Sequence, residues 1–120
     1  MAEAVDGIGG VFFRSRDPDA LRAWYAHHLG IEMEDYGTTF TAKGGDQTVW
    51  APFPADSGYF GGEEQQLMVN FRVRDLDAML GQLRAAGVDV DGRVEEHEYG
   101  RFGWATDLEG NRFELWQPPQ

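Results

Sequence analysis

The sequence predicts an α+β domain built from two tandem βαβββ modules, and three observations carry that prediction. The first is an internal repeat. Val11-Phe12-Phe13-Arg14-Ser15-Arg16-Asp17-Pro18-Asp19-Ala20 lies without a gap on Val69-Asn70-Phe71-Arg72-Val73-Arg74-Asp75-Leu76-Asp77-Ala78, identical at seven of ten positions. That density points to duplication, and two copies are too few for a solenoid. The second is the pattern behind each copy: a β-like run, a helical apolar stripe, then further β-like runs. The third is a pair of downstream echoes. Leu29-Gly30-Ile31 is answered by Ala86-Gly87-Val88, and Val49-Trp50-Ala51-Pro52 by Leu115-Trp116-Gln117-Pro118.

Each element has a local reason. Residues 8–16 and 66–74 are rich in Val and Phe and read as opening strands. Asp17 and Asp75 follow as helix N-caps, and Pro18 suits a first helical turn. Helix one runs over about 18–29, with Leu21, Trp24, Tyr25, His28 and Leu29 at helical spacing. Helix two runs over about 76–86, with Leu76, Met79, Leu80 and Leu83 on one stripe. Gly30 and Gly87 stand where a left-handed C-cap belongs. Strands are expected at about 32–36, 38–43 and 46–51, then at about 88–97, 101–106 and 111–117. Asp107-Leu108-Glu109-Gly110-Asn111 is a hairpin turn between the last two. The 120 residues make one domain by length, with modules at about 1–52 and 65–120. The stretch between them, with Pro52, Pro54, Gly58, Gly61 and Gly62, reads as a linker.

Composition narrows the function classes. Lys and Arg number 10 against 21 Asp and Glu, a formal net charge of −11, which repels phosphate backbones and argues against nucleic-acid binding. Cysteine is absent, which excludes disulfide scaffolds, thiolate metal sites and cysteine nucleophiles. No apolar run approaches a membrane span, and the opening MAEAVDGIGG lacks the pattern of a secretory signal. The expectation is a cytoplasmic protein with no nucleic-acid and no membrane partner. Nucleotide-binding glycine motifs and a Gly-x-Ser-x-Gly elbow are missing.

Strand alternation sorts the side chains into two faces. Val11 and Phe13, with Val69, Phe71 and Val73 in the repeat, suit a helix-covered core. Phe113 and Leu115 take the core side of the last strand. The opposite face then carries Phe12, Arg14, Met68, Asn70, Arg72, Arg112, Glu114 and Trp116, and the repeat alignment adds Thr48 and Trp50.

The doubled βαβββ unit resembles the vicinal oxygen chelate superfamily, which includes glyoxalase I, bleomycin-resistance proteins and extradiol dioxygenases. The resemblance covers nearly the whole chain. It is carried by Asp17-Pro18 through Trp24-Tyr25 to Leu29-Gly30, by Asp75-Leu76-Asp77 through Ala86-Gly87-Val88, and by Asp107-Leu108-Glu109-Gly110-Asn111 leading into Phe113-Glu114-Leu115-Trp116. Leu108 stands where that family commonly has proline in this turn. The resemblance implies a curved, barrel-like mixed sheet with a concave cavity, and commonly a homodimer. The abundance of Trp, Phe and Tyr agrees with a subunit seam.

In metal-bearing members of that superfamily, two positions in each module supply ligands. Carried over by the motif, they fall on Gly10, Thr48, Met68 and Glu114. Glu114 alone is an ordinary ligand for a divalent ion; the others offer no side chain, a neutral hydroxyl and a thioether. No cofactor is therefore expected, with a divalent metal as the alternative. His27 and His28 are adjacent on a helix and lack the four-residue spacing of a ligand pair. His97, in the acidic run Glu95-Glu96-His97-Glu98, is either a surface residue or part of a cavity rim.

The expected ligand-binding set is Phe12, Arg14, Trp50, Asn70, Arg72, Arg112 and Trp116, aromatic walls with a few polar groups. Arg14 and Arg72 hold equivalent repeat positions and suit a carboxylate, unless one pairs with Glu114 instead. Glu114, buried without a metal, is the candidate general base. The leading expectation is a metal-independent protein that sequesters or carries a small apolar or aromatic molecule, with or without a carboxylate. The alternatives are a lyase, isomerase or dioxygenase-type enzyme using Glu114, or a structural or regulatory dimerisation module.

Overall fold

A computed structural model describes residues 2–120. The fold is α+β, with parallel and antiparallel strand pairs and two helices. The chain divides into two compact units. One is Gly10–Met68; the other joins the chain up to Gly9 with Val69–Gln120.

Unit Gly10–Met68 holds most of β1 (Gly7–Ser15), α1 (Pro18–Leu29), β2 (Thr38–Thr41) and β3 (Gln47–Pro54). β3 lies parallel to β1 and antiparallel to β2. Helix α1 begins where the sequence places it: the Asp17 carboxylate accepts from the Ala20 amide at 3.1 Å and Pro18 occupies the first turn. Gly30 ends it with φ +68°, a conformation side-chain-bearing residues avoid. Tyr25 packs on Trp50 and Trp50 on Phe13, with ring centroids 4.6 and 5.1 Å apart.

One expectation is corrected in this unit. Residues 32–36 form no strand, so the module is βαββ. Glu34 and Gly37 exchange backbone hydrogen bonds at 2.7 and 3.3 Å, closing a turn on the groups a ladder would use. The stretch after Pro52, expected as the linker, carries regular structure. β3 continues to Pro54, a 3₁₀ turn spans Gly58–Phe60, and the Phe60 side chain is fully buried.

The second unit contains β4 (Leu67–Arg72, entered at Val69), α2 (Leu76–Ala85), β5 (Asp89–Val90), β6 (Glu95–His97), β7 (Gly100–Thr106) and β8 (Arg112–Gln117). Its strands run in the order β4-β8-β7-β5, with β6 also on β7. β4 is parallel to β8; β7 and β8 form the antiparallel hairpin the turn predicts. The Asp107 carboxylate closes that turn, accepting from the Glu109 and Asn111 amides at 2.9 Å each.

Helix α2 buries Leu76, Met79 and Leu80 against Val73 and Leu115, the core side assigned by alternation. Its N-cap repeats that of α1, with the Asp75 carboxylate accepting from the Ala78 amide at 3.0 Å. The single strand expected at 88–97 is two short ones. Asp91 accepts from the Arg93 amide at 2.9 Å, and this Asx turn interrupts the run.

Candidate functional site

One face of the second unit collects five of the expected site residues. The register sets Asn70 beside Glu114 and Arg72 beside Trp116 on β4 and β8. It sets Trp104 beside Glu114, Phe102 beside Trp116 and Thr106 beside Arg112 on β7 and β8. Register partners share a face, so Asn70, Arg72, Arg112, Glu114 and Trp116 stand together, opposite the α2 core.

Glu114 is the centre of this face and is 1% exposed. Trp104 Nε1 donates to its Oε2 at 2.9 Å, and Asn70 Nδ2 donates to its Oε1 at 2.5 Å. Both donors are buried. Two neighbouring strands thus fix the carboxylate in one orientation.

The flanking residues are engaged with their own partners. Arg72, 9% exposed, sits 3.4 Å from the Asp6 carboxylate and donates to the Ile8 carbonyl at 3.2 Å. Gly7 leaves the room its guanidinium fills; a Cβ there would collide with Nη2. Arg112 reaches Asp91 Oδ2 at 3.3 Å and lies over the Trp104 ring at 5.4 Å. The Arg93 amide, with the Arg112 guanidinium second, holds the Asp91 carboxyl below the ordinary aspartate range against an opposing effect of burial. Trp116 stacks on Phe102 and donates from Nε1 to the Tyr99 carbonyl at 2.9 Å. His97 is an exposed residue stacked on Tyr99, with Nε2 3.1 Å from Glu95.

The remaining expected residues lie in the unit Gly10–Met68. Phe12 is buried against Phe53 and Tyr59, with centroids at 5.4 and 6.5 Å. Arg14 clamps the segment after β3. Its Nε and Nη groups donate to the carbonyls of Gln65, Ala55, Ser57 and Gly62 at 2.7–3.1 Å, and its guanidinium covers the Phe60 ring. The equivalence expected of Arg14 and Arg72 ends here, since one holds backbone carbonyls and the other meets Asp6.

Trp50 and Thr48 are corrected. Val11 pairs with Trp50 and Phe12 with Ala51, so Trp50 joins Val11 and Phe13 on the helix side, and Thr48 shares its phase. Phe12 is the repeat equivalent of Asn70, whose partner is Glu114, so the register counterpart of Glu114 is Ala51.

The donor chemistry does not fit the divalent ion the superfamily implies. Ala51 and Gly10 offer no donor, and Met68 offers only a buried thioether. Both Glu114 oxygens already accept from nitrogen. Among the described residues no three His, Cys, Asp or Glu side chains gather to hold a metal.

Trp104 is the residue that reading by repeats missed. It is fully buried and donates to the central carboxylate. Its signal was present: counting back through the Asp107–Asn111 turn sets Trp104 opposite Glu114.

A domain of paired βαβ-type modules with a buried glutamate on its last strand defines a class, and the family comparison names it. The Glyoxalase/Bleomycin resistance protein/Dioxygenase superfamily model matches residues 7–115, so the chain belongs to that superfamily. No curated protein matches it. Among solved structures it is similar to methylmalonyl-CoA epimerase from Mycobacterium tuberculosis, with a TM-score of 0.70 and 22% identity over 97% of this chain and 90% of that one. A Streptomyces coelicolor methylmalonyl-CoA epimerase variant in complex with 2-nitronate-propionyl-CoA gives 0.73 and 17% over 94% and 97%. A structure named as NAD-dependent benzaldehyde dehydrogenase from Legionella pneumophila gives 0.58 and 17% over 89% and 96%. Identities this low speak for the fold alone.

Proposed function

We propose that this protein is an isomerase that takes a proton from a small carbon acid and returns it, or a lyase that takes the proton as a leaving group departs from the neighbouring carbon, with Glu114 as the base. The observation that carries the reading is a buried carboxylate held at both oxygens by N–H donors from neighbouring strands. A base oriented in a dry site abstracts a proton better than one free in water. The substrate class is a small carboxylic acid or thioester, the kind handled by the methylmalonyl-CoA epimerases it is similar to. No metal step enters, because the donor set does not fit one.

The test is solvent deuterium exchange followed by proton NMR, on methylmalonyl-CoA and a panel of α-substituted acids and thioesters. The protein is expected to wash the α-proton into solvent, and Glu114→Gln is expected to slow this by roughly 10²–10⁴. Exchange unaffected by Glu114→Gln overturns the role of Glu114.

A second reading is the metal-independent carrier or sequestering protein; Glu114 is 1% exposed, and that role needs no contact between it and the ligand. Apolar-ligand binding by thermal shift, without exchange on any panel member, would select it. We also propose a homodimer. Helix α1 has no fully buried residue, and Trp24 and Leu29 are 53% and 60% exposed; light scattering that gives a monomer mass would refute it.

A further inference from the structure

We infer that Asn70 is a two-way positioning residue for Glu114, donating to it when it is ionised and accepting from it when it carries a proton. Its role in turnover rests on Glu114 as the proposed base; its geometry stands apart from it.

Three observations combine. Asn70 Nδ2 donates to Glu114 Oε1 at 2.5 Å, which sets the amide directly against the carboxylate. The other end of the same amide, Oδ1, is buried and without a hydrogen-bond partner among the described residues. A buried acceptor left over is rare and costly, and asks for an explanation. Gly9 then supplies the space: a Cβ there would collide with Asn70 Oδ1 and with Trp116 Cε3.

These fit a half-turn of the amide. With Glu114 ionised, Nδ2–H points at Oε1 and Oδ1 rests against Gly9 and the Trp116 ring. When Oε1 takes up a proton, its new O–H needs an acceptor. Rotating the Asn70 amide brings Oδ1 to it and turns the NH₂ toward the ring, a weak but favourable N–H contact. Trp104 goes on donating to Oε2 throughout. No atom is gained or lost beyond the proton on Oε1.

The charged groups nearest Glu114 are arginines, which are donors only. From β4, Arg72 is 3.4 Å from Asp6. From β8, Arg112 is held by Asp91, and Arg93, paired with Glu95, covers the Trp104 ring at 5.1 Å. Only the amide can exchange donor for acceptor.

The Glu114→Gln variant tests this without acid. The Trp104 N–H still demands an oxygen, so the new side chain must turn its NH₂ toward Asn70. Asn70 must then present Oδ1, the arrangement inferred for protonated Glu114. Asn70 and Asn111 are the only asparagines, so ¹⁵N-asparagine labelling of the full chain gives two side-chain amides. The expected result is a strong cross-peak between the Asn70 NH₂ and the Gly9 Hα protons in Glu114→Gln. In the parent, the same cross-peak is expected to be weak wherever the Glu114 ¹³Cδ shift reads carboxylate and to gain intensity wherever it reads carboxylic acid. A cross-peak that stays weak in the variant, or ignores the Glu114 ¹³Cδ shift in the parent, overturns the inference. Neither readout uses activity, so a failed exchange assay and a failed amide rotation are separate results.

Discussion

Arg14 decides between a clamp and a ligand contact, and Arg14→Met separates them. Methionine keeps an apolar stem over Phe60 and removes every N–H donor. Two of the four bonds lost are partly shielded, those to the Gln65 and Ser57 carbonyls at 2.8 Å each. The bonds to Ala55 and Gly62 are exposed, and water can replace them. Hydrogen bonds from a charged donor contribute about 1.5–3 kcal/mol. Counting only the two shielded bonds, at the low end, gives about 3 kcal/mol. For a chain of this length that lowers the melting temperature by roughly 12 °C. Thermal unfolding measures the total, and amide hydrogen exchange locates it: residues 55–65 are expected to lose protection first. A loss under about 1 kcal/mol with unchanged exchange there refutes the clamp and returns Arg14 to the pool of ligand-binding groups.

Two further outcomes follow from the charged groups. Asp91, held down by the Arg93 amide and then by Arg112, and Asp107, held down by the Asn111 amide and side chain, both have folded pKa values below the ordinary one. Their contribution is therefore complete above the ordinary aspartate pKa and is lost as pH falls through the folded value. Asp91→Asn is expected to flatten the acid limb of stability against pH, and a limb of unchanged slope refutes this. For metal, a chelator is expected to leave the melting temperature unchanged. An ion present at a hundred times its Kd would stabilise the fold by about 2.7 kcal/mol, so a drop that zinc or nickel reverses shows that the donor set was misjudged.

Much of the fold was legible because the signals are local. Helix α1 lies at 18–29 as expected, since Asp17, Pro18 and Gly30 each act within one turn of the helix end. The hairpin of β7 and β8 follows from the Asp107–Asn111 turn in the same way. The missed strand boundaries fall where a local turn takes the groups a ladder would use. Residues 32–36 bond within their own turn, and 88–97 breaks because the Asp91 side chain competes with the ladder. The supposed linker carries Pro and Gly, yet Arg14, some forty residues upstream, fixes it.

The candidate site was legible on one side of the repeat and not on the other, and the reason is parity. The echo between Val49-Trp50-Ala51-Pro52 and Leu115-Trp116-Gln117-Pro118 matches Trp50 to Trp116 and so Thr48 to Glu114. The strand register matches Ala51 to Glu114 instead, three residues along. An even error would have misplaced the residues on the right face; an odd one puts them through the sheet. Trp50 was thus carried from the α1 side, where Tyr25 covers it, onto the face of Phe12. In the second unit the face was read from alternation within β4 and β8, without the echo, and Asn70, Arg72, Arg112, Glu114 and Trp116 do share it. The duplication kept the first strands and helix caps in step while its last strands slipped. The carboxylate at Glu114 accordingly has alanine as its register counterpart, and Asn70 and Trp104, both of its own unit, donate to it.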